Sequence, residues 1–178
     1  MLTQTRKICI VGDFGVGKTS LIRRFVEGQF SDQYLSTVGV KISRKTVSVT
    51  DLKDHSPFDV KLLIWDLEGQ TKFKGITTSY LQGSSGFLIV GDVQRDESLQ
   101  HLSDHIDLCL SVNPQSIIAI ALNKTDLITV TEGEQIFSKI QEKLEGKPII
   151  RLYPTSAKTG DHVEEIFQNI ASKIFHNS

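Results

Sequence analysis

Apolar positions along this chain fall into short, nearly unbroken runs separated by longer amphipathic stretches. Lys7–Val11, Lys61–Asp66, Gly86–Asp92, Ile117–Asn123 and Pro148–Pro154 are apolar almost throughout. Strands of that kind suit a parallel sheet whose two faces are both covered. Helical spacing between the runs predicts helices over Lys18–Glu27, Glu97–Leu110, Glu132–Leu144 and His162–Phe175, with a shorter one near Phe73–Leu81. Strand and helix thus alternate, which calls for right-handed crossovers and a doubly wound sheet. One segment departs from this rhythm. Val40–Thr50 alternates more freely, and "DLKDHSP" turns it straight toward Lys61 with no helix between. That is a hairpin, so Val40–Thr50 is expected to be an antiparallel edge strand. The fold expected is α/β in three layers: a six-stranded, mostly parallel sheet with one antiparallel edge and helices on both faces.

Composition narrows the picture modestly. At 178 residues the chain is expected to form one domain with a continuous core. Lys plus Arg (20) nearly equals Asp plus Glu (21), so no overall field favours nucleic acid or an anionic membrane. Two cysteines, Cys9 and Cys109, are too few for a disulfide framework and lack metal-ligand spacing. There is no signal-peptide pattern, no spanning apolar run and no terminal cysteine to prenylate, so a cytoplasmic monomer without its own membrane anchor is expected. The same features suit one part of a longer protein.

The chemistry begins at "VGDFGVGKTSL" (11–21). Gly12-x-x-x-x-Gly17-Lys18-Thr19 follows an apolar run and opens a helix, the context in which a phosphate-binding loop works. Backbone N–H groups of Gly15, Val16, Gly17, Lys18, Thr19 and Ser20 can turn inward around a phosphate, aided by the positive end of the helix. Lys18 reaches the β- and γ-phosphates, and the Thr19 hydroxyl is a hard oxygen ligand for Mg²⁺. Further on, "NKTD" places Asn123, Lys124 and Asp126 at the end of a strand, where ligands of open α/β sheets bind. A carboxylate at Asp126 can accept from both N1–H and N2–H₂ of guanine, a donor pair adenine lacks. The stem of Lys124 can lie over the base. Ser156, Ala157 and Lys158 follow the next strand, and the Ala157 N–H suits guanine O6.

Together with "YLSTVGVKI" (34–42), "WDLEGQTKFKGITTSY" (65–80) and "SAK" (156–158), these motifs resemble the Ras superfamily of small GTPases, and the Rab branch most closely. The resemblance spans nearly the whole chain. It implies a P-loop nucleotide-binding fold with the phosphate loop at 12–19, switch I at 30–40 and switch II at 66–80. It implies that Phe30 packs on guanine, that Tyr34 covers the phosphates, and that Thr37 closes over Mg²⁺. Asp66 would hold Mg²⁺ through a water, the Gly69 N–H would sense the γ-phosphate, and Gln70 would orient the attacking water. The function implied is a GTP/GDP switch that hydrolyses GTP and meets effectors, exchange factors and activating proteins through its switches.

Several positions depart from the family's pattern. Phe14 stands where relatives carry a small residue, beside the expected γ-phosphate. Its ring either displaces Gln70 or shuts out a partner's arginine, or else turns outward and leaves the water site intact. Slow hydrolysis is the expectation, with a GTP-binding module of negligible activity as the alternative. Leu67, Glu68 and Thr71 alter switch II, and Ile42 alters the surface after switch I. His101 and His105, one helical turn apart, are expected on a solvated helix face rather than at a metal. Arg23 and Arg24 are likewise expected on a solvated face rather than as an internal arginine finger.

Overall fold

The computed structural model describes residues 3–33, 37–67, 69 and 78–178. Its strands are β1 (Thr3–Gly12), β2 (Val40–Thr50), β3 (Pro57–Leu67), β4 (Gly86–Asp92), β5 (Ile117–Asn123) and β6 (Arg151–Pro154). The helices are α1 (Lys18–Glu27), α2 (Thr78–Leu81), α3 (Asp96–Gln100), α4 (Leu102–Val112), α5 (Val130–Lys143) and α6 (Val163–His176). The strands form one sheet in the order β2-β3-β1-β4-β5-β6. Every pairing is parallel except β2 with β3, which is antiparallel, as the short polar hairpin requires. This is the P-loop arrangement expected from the sequence.

Alternate residues of β1 explain the two covered faces. Ile8 and Ile10 pack with Leu62, Ile64 and Leu88 beneath α1 and α6, where Phe25 and Phe167 stack with ring centroids 4.1 Å apart. Cys9 and Val11 face the other way, against Phe87, Ile89 and the α4 residues Leu102 and Ile106. Both cysteines are free and buried, and the Cys9 thiol also lies 3.0 Å from Ser84 Oγ. No helix among the described residues is long and apolar enough to cross a membrane.

Several boundaries differ from the sequence reading, and β1 and β3 each begin four residues before the apolar runs that start at Lys7 and Lys61. The helix expected over Glu97–Leu110 is interrupted at His101, between α3 and α4. The last strand begins at Arg151 rather than Pro148; Pro148 has no N–H to give, although Ile150 still donates to the Ile118 carbonyl at 2.8 Å. Of the helix expected near Phe73–Leu81, Thr78–Leu81 is helical and 73–77 lie outside the described residues. Register aligns the carboxyl ends of the parallel strands along one edge, with Gly12 opposite Val90 and Asp92 opposite Asn123. The loops leaving that edge build the candidate site.

Candidate functional site

A cleft of about 310 Å³ opens at this edge. Its lining includes Gly15, Gly17, Lys18, Thr19 and Ser20 from the first loop and α1, then Phe30, Thr37 and Gly69. Asn123, Lys124, Asp126, Ala157 and Lys158 complete it from the far side. Val16, Asp66 and Ser156 do not line it; each is buried just behind and acts through its bonds. Tyr34, Glu68 and Gln70 lie outside the described residues.

At one end, Gly17 caps α1 with φ of 101°, a left-handed conformation that favours glycine. Lys18 follows as the first helical residue and is 6% exposed. Its Nζ donates to the carbonyls of Gly12 (2.9 Å) and Asp13 (2.8 Å), which uses two of its three donors on neutral partners. Burial pushes the Lys18 ammonium down to about 8, against the attraction of Asp66 and Asp13, with Arg95 adding repulsion. An anion in the cleft would oppose that shift and hold the charge. Gly69 sits so close that an added Cβ would lie 2.8 Å from the Asp13 carbonyl oxygen and overlap Lys18 Nζ.

Beside Lys18 three oxygen-bearing side chains converge. Thr19 Oγ1 donates to Asp66 Oδ2 at 2.6 Å and lies 2.6 Å from Thr37 Oγ1, which is itself 3.2 Å from the same carboxylate oxygen. Asp66 Oδ1 is buried with no hydrogen-bond partner among the described residues. Burial raises the Asp66 carboxyl, with the Thr19 bond and the Lys18 charge opposing. Hard oxygens around a carboxylate with an unmet oxygen suit a divalent cation such as Mg²⁺.

The other end is tied to the first. Asn123 Nδ2 donates to the Val16 carbonyl at 3.0 Å while its Oδ1 accepts from Thr155 Oγ1 at 3.1 Å. Lys124 Nζ donates to the Gly15 carbonyl at 2.8 Å and pairs with Asp92 Oδ2 at 2.8 Å. Asp126 Oδ1 accepts from Ser156 Oγ at 2.7 Å, which orients the carboxylate. Lys158 reaches toward Asp32, 4.0 Å away.

Two expectations need correction. Arg24 is not merely solvated: its Nε donates to the Ala157 carbonyl at 2.8 Å and its Nη2 to the Lys158 carbonyl, so α1 holds the Ser156–Lys158 loop. Only Arg23 keeps a surface role, pairing with Glu27 at 3.2 Å. His105 is buried rather than exposed, and both histidines bond Asp13: His101 Nδ1 to Oδ2 at 2.6 Å, His105 Nε2 to Oδ1 at 2.9 Å. No group of three His, Cys, Asp or Glu suited to a metal occurs among the described residues. Phe14 is 45% exposed and lines the cleft, and its carbonyl accepts from Arg95 Nη1. Asp13, Asp92 and Arg95 were missed; a charged residue at the end of an apolar strand was the available signal for Asp92 alone.

Comparison with known proteins agrees with this geometry. The chain matches the Ras family over residues 7–176. It is 36% identical over 169 residues to the Ras-related protein Rab-1C of Dictyostelium discoideum, covering 94% of this chain and 80% of that protein. Ras-related protein Rab-13 of Canis lupus familiaris is 34% identical over 174 residues, 97% of this chain and 81% of its own length. Ras-related protein SEC4 of Saccharomyces cerevisiae is 33% identical over 173 residues, 94% of this chain and 74% of its own length.

Proposed function

Since the chain belongs to the Ras family and is a Rab-like, GTP-binding small GTPase, we propose how its own residues divide the work. Residues 1–178 act as one guanine-nucleotide-binding unit. Amides of Gly15, Val16, Gly17, Lys18, Thr19 and Ser20, with the Lys18 ammonium, hold the phosphates. Asp126 reads guanine, Lys124 and Phe30 flank the base, and Asn123, Ser156, Ala157 and Lys158 shape its seat. Thr19 and Thr37, with Asp66, would hold Mg²⁺, which neutralises charge on the phosphate oxygens. Tyr34 and Gly69 act on the γ-phosphate side, and Gln70 orients water for hydrolysis. Loss of the γ-phosphate releases the segments around Thr37 and Gly69, and effectors, exchange factors and activating proteins read that change.

One observation carries this reading. Asn123 and Lys124 each donate to a carbonyl of the phosphate loop, which makes the two motifs opposite walls of one cleft. A phosphate chain and a base on a single ligand match that spacing.

Phe14 sets the rate. It lines the cleft, and the family resemblance puts this position beside the γ-phosphate, where the attacking water and any incoming arginine would fit. Slow intrinsic hydrolysis follows, with negligible hydrolysis as the limiting form of the same reading. The test is single-turnover phosphate release from purified protein loaded with GTP. Wild type is expected to be slow and Phe14→Gly roughly tenfold faster, the size of a modest realignment of attacking water. Equal rates would remove Phe14 from the account, and retention of ATP as readily as GTP would remove the base assignment.

A further inference from the structure

Asp13 belongs to the phosphate loop, yet its side chain points away from the cleft and is 2% exposed. An ionised carboxylate offers only acceptors, so both of its neighbours must donate, His101 through Nδ1–H and His105 through Nε2–H. Burial pushes the Asp13 carboxyl up, but the bonds and charges of His105 and His101 outweigh it and hold the group below the usual carboxylate range. The main chain of the same residue has a second task, since its carbonyl accepts from Lys18 Nζ at 2.8 Å. Arg95, which precedes α3, holds the next carbonyl, that of Phe14. The break between α3 and α4 falls at His101, one of the two residues whose rings meet Asp13. One residue therefore joins the α3–α4 segment, through its carboxylate, to the Lys18 ammonium, through its carbonyl.

We propose that His101 and His105 are positioning residues for nucleotide retention, fixing Asp13 and, through its carbonyl, Lys18. Neither touches the nucleotide. The role rests on the guanine-nucleotide reading given above and adds to it a control point outside the cleft.

The test is the release rate of a fluorescent GDP from the full chain. His105→Phe keeps a ring but removes the donor, and is expected to release GDP about tenfold faster. His105→Gln retains an N–H and should stay within about twofold of wild type, a rescue that simple loss of packing would not give. On an Asp13→Ala background, His105→Phe should add nothing, because the two changes break one linkage. Should His105→Phe fail to fold, His101→Phe, at the partly exposed position, carries the same comparison. Unchanged release in the phenylalanine variants, or an effect that persists undiminished without Asp13, overturns the proposal alone. A wild-type protein that retains no guanine nucleotide overturns the underlying reading and this role with it.

Discussion

The two ends of the cleft are built on different principles. At the base end, most polar groups already have protein partners: Asn123 bonds Val16 and Thr155, Lys124 bonds Gly15 and Asp92, and Asp126 is oriented by Ser156 through Oδ1 alone. Most of those residues leave the ends of β4, β5 and β6, which pair in register up to Asp92 and Asn123. At the phosphate end the bonds are incomplete. Lys18 faces carbonyls rather than an anion, and Asp66 keeps a buried oxygen without a partner. A buried unpaired carboxylate oxygen is costly. The base end is thus largely pre-formed, whereas a cation and an anion at the phosphate end would meet groups that are unpaired among the described residues or paired only with carbonyls. Such a difference suits a switch, because the ligand's variable part meets the part of the protein it stabilises most.

Removing a group from the pre-formed end should have the largest effect. Asp126→Asn leaves the Ser156 bond possible but sets an NH₂ group against guanine's own donors. GDP affinity is expected to fall about 1,000-fold, because a seat built for two donors is then opposed by one. Equilibrium titration checks it, and a loss below tenfold would mean that the base end does not discriminate through this carboxylate.

Gly17→Ala strikes the seam between the ends. The residue holds φ of 101°, and an added Cβ would overlap Asn123 Nδ2. Relief requires either the loop or Asn123 to move, so both walls lose their mutual support. Affinity for GDP and GTP is expected to fall together by about 100-fold, in line with the cost of strained backbone. A loss confined to GTP would show that the walls are not coupled through Asn123.

Much of this was legible in the sequence for local reasons. Continuous apolarity in Gly86–Asp92 and Ile117–Asn123 marked strands buried on both faces, and their observed bounds agree residue for residue. The short turn after Thr50, with no helix before the next strand, marked the antiparallel edge. Gly12, Gly17, Lys18 and Thr19 were readable because phosphate binding depends on backbone conformation over a few adjacent residues. The ties between distant segments were not readable. Asp13 lies 88 and 92 residues from its two imidazoles, and Arg24 lies 133 from the carbonyl it holds. A histidine pair spaced by one helical turn looks the same in sequence whether it faces water or a buried carboxylate. Only the crossover that lays α3 and α4 beside the first loop decides which. Gln70, the residue expected to orient water, lies outside the described residues.

The smallest effect tests where the base end gets its rigidity. The Asn123–Asp126 segment is held upstream by β5 and downstream by the start of α5. There Thr129 and Glu132 form a reciprocal cap, with Glu132 N–H on Thr129 Oγ1 at 3.2 Å and Thr129 N–H on Glu132 Oε2 at 2.8 Å. Thr129→Ala removes the cap without touching the cleft, and should cost about 1 kcal/mol of folding stability. For a chain of this size that corresponds to a fall of about 2–4 °C in Tm. If the strand ends and the bonds to the phosphate loop fix the base seat, GDP release from this variant should equal wild type while the thermal midpoint drops. If release accelerates in step with the loss of stability, α5 contributes to the seat as well. The base end would then be no more independently pre-formed than the phosphate end, and the contrast between the two would fail.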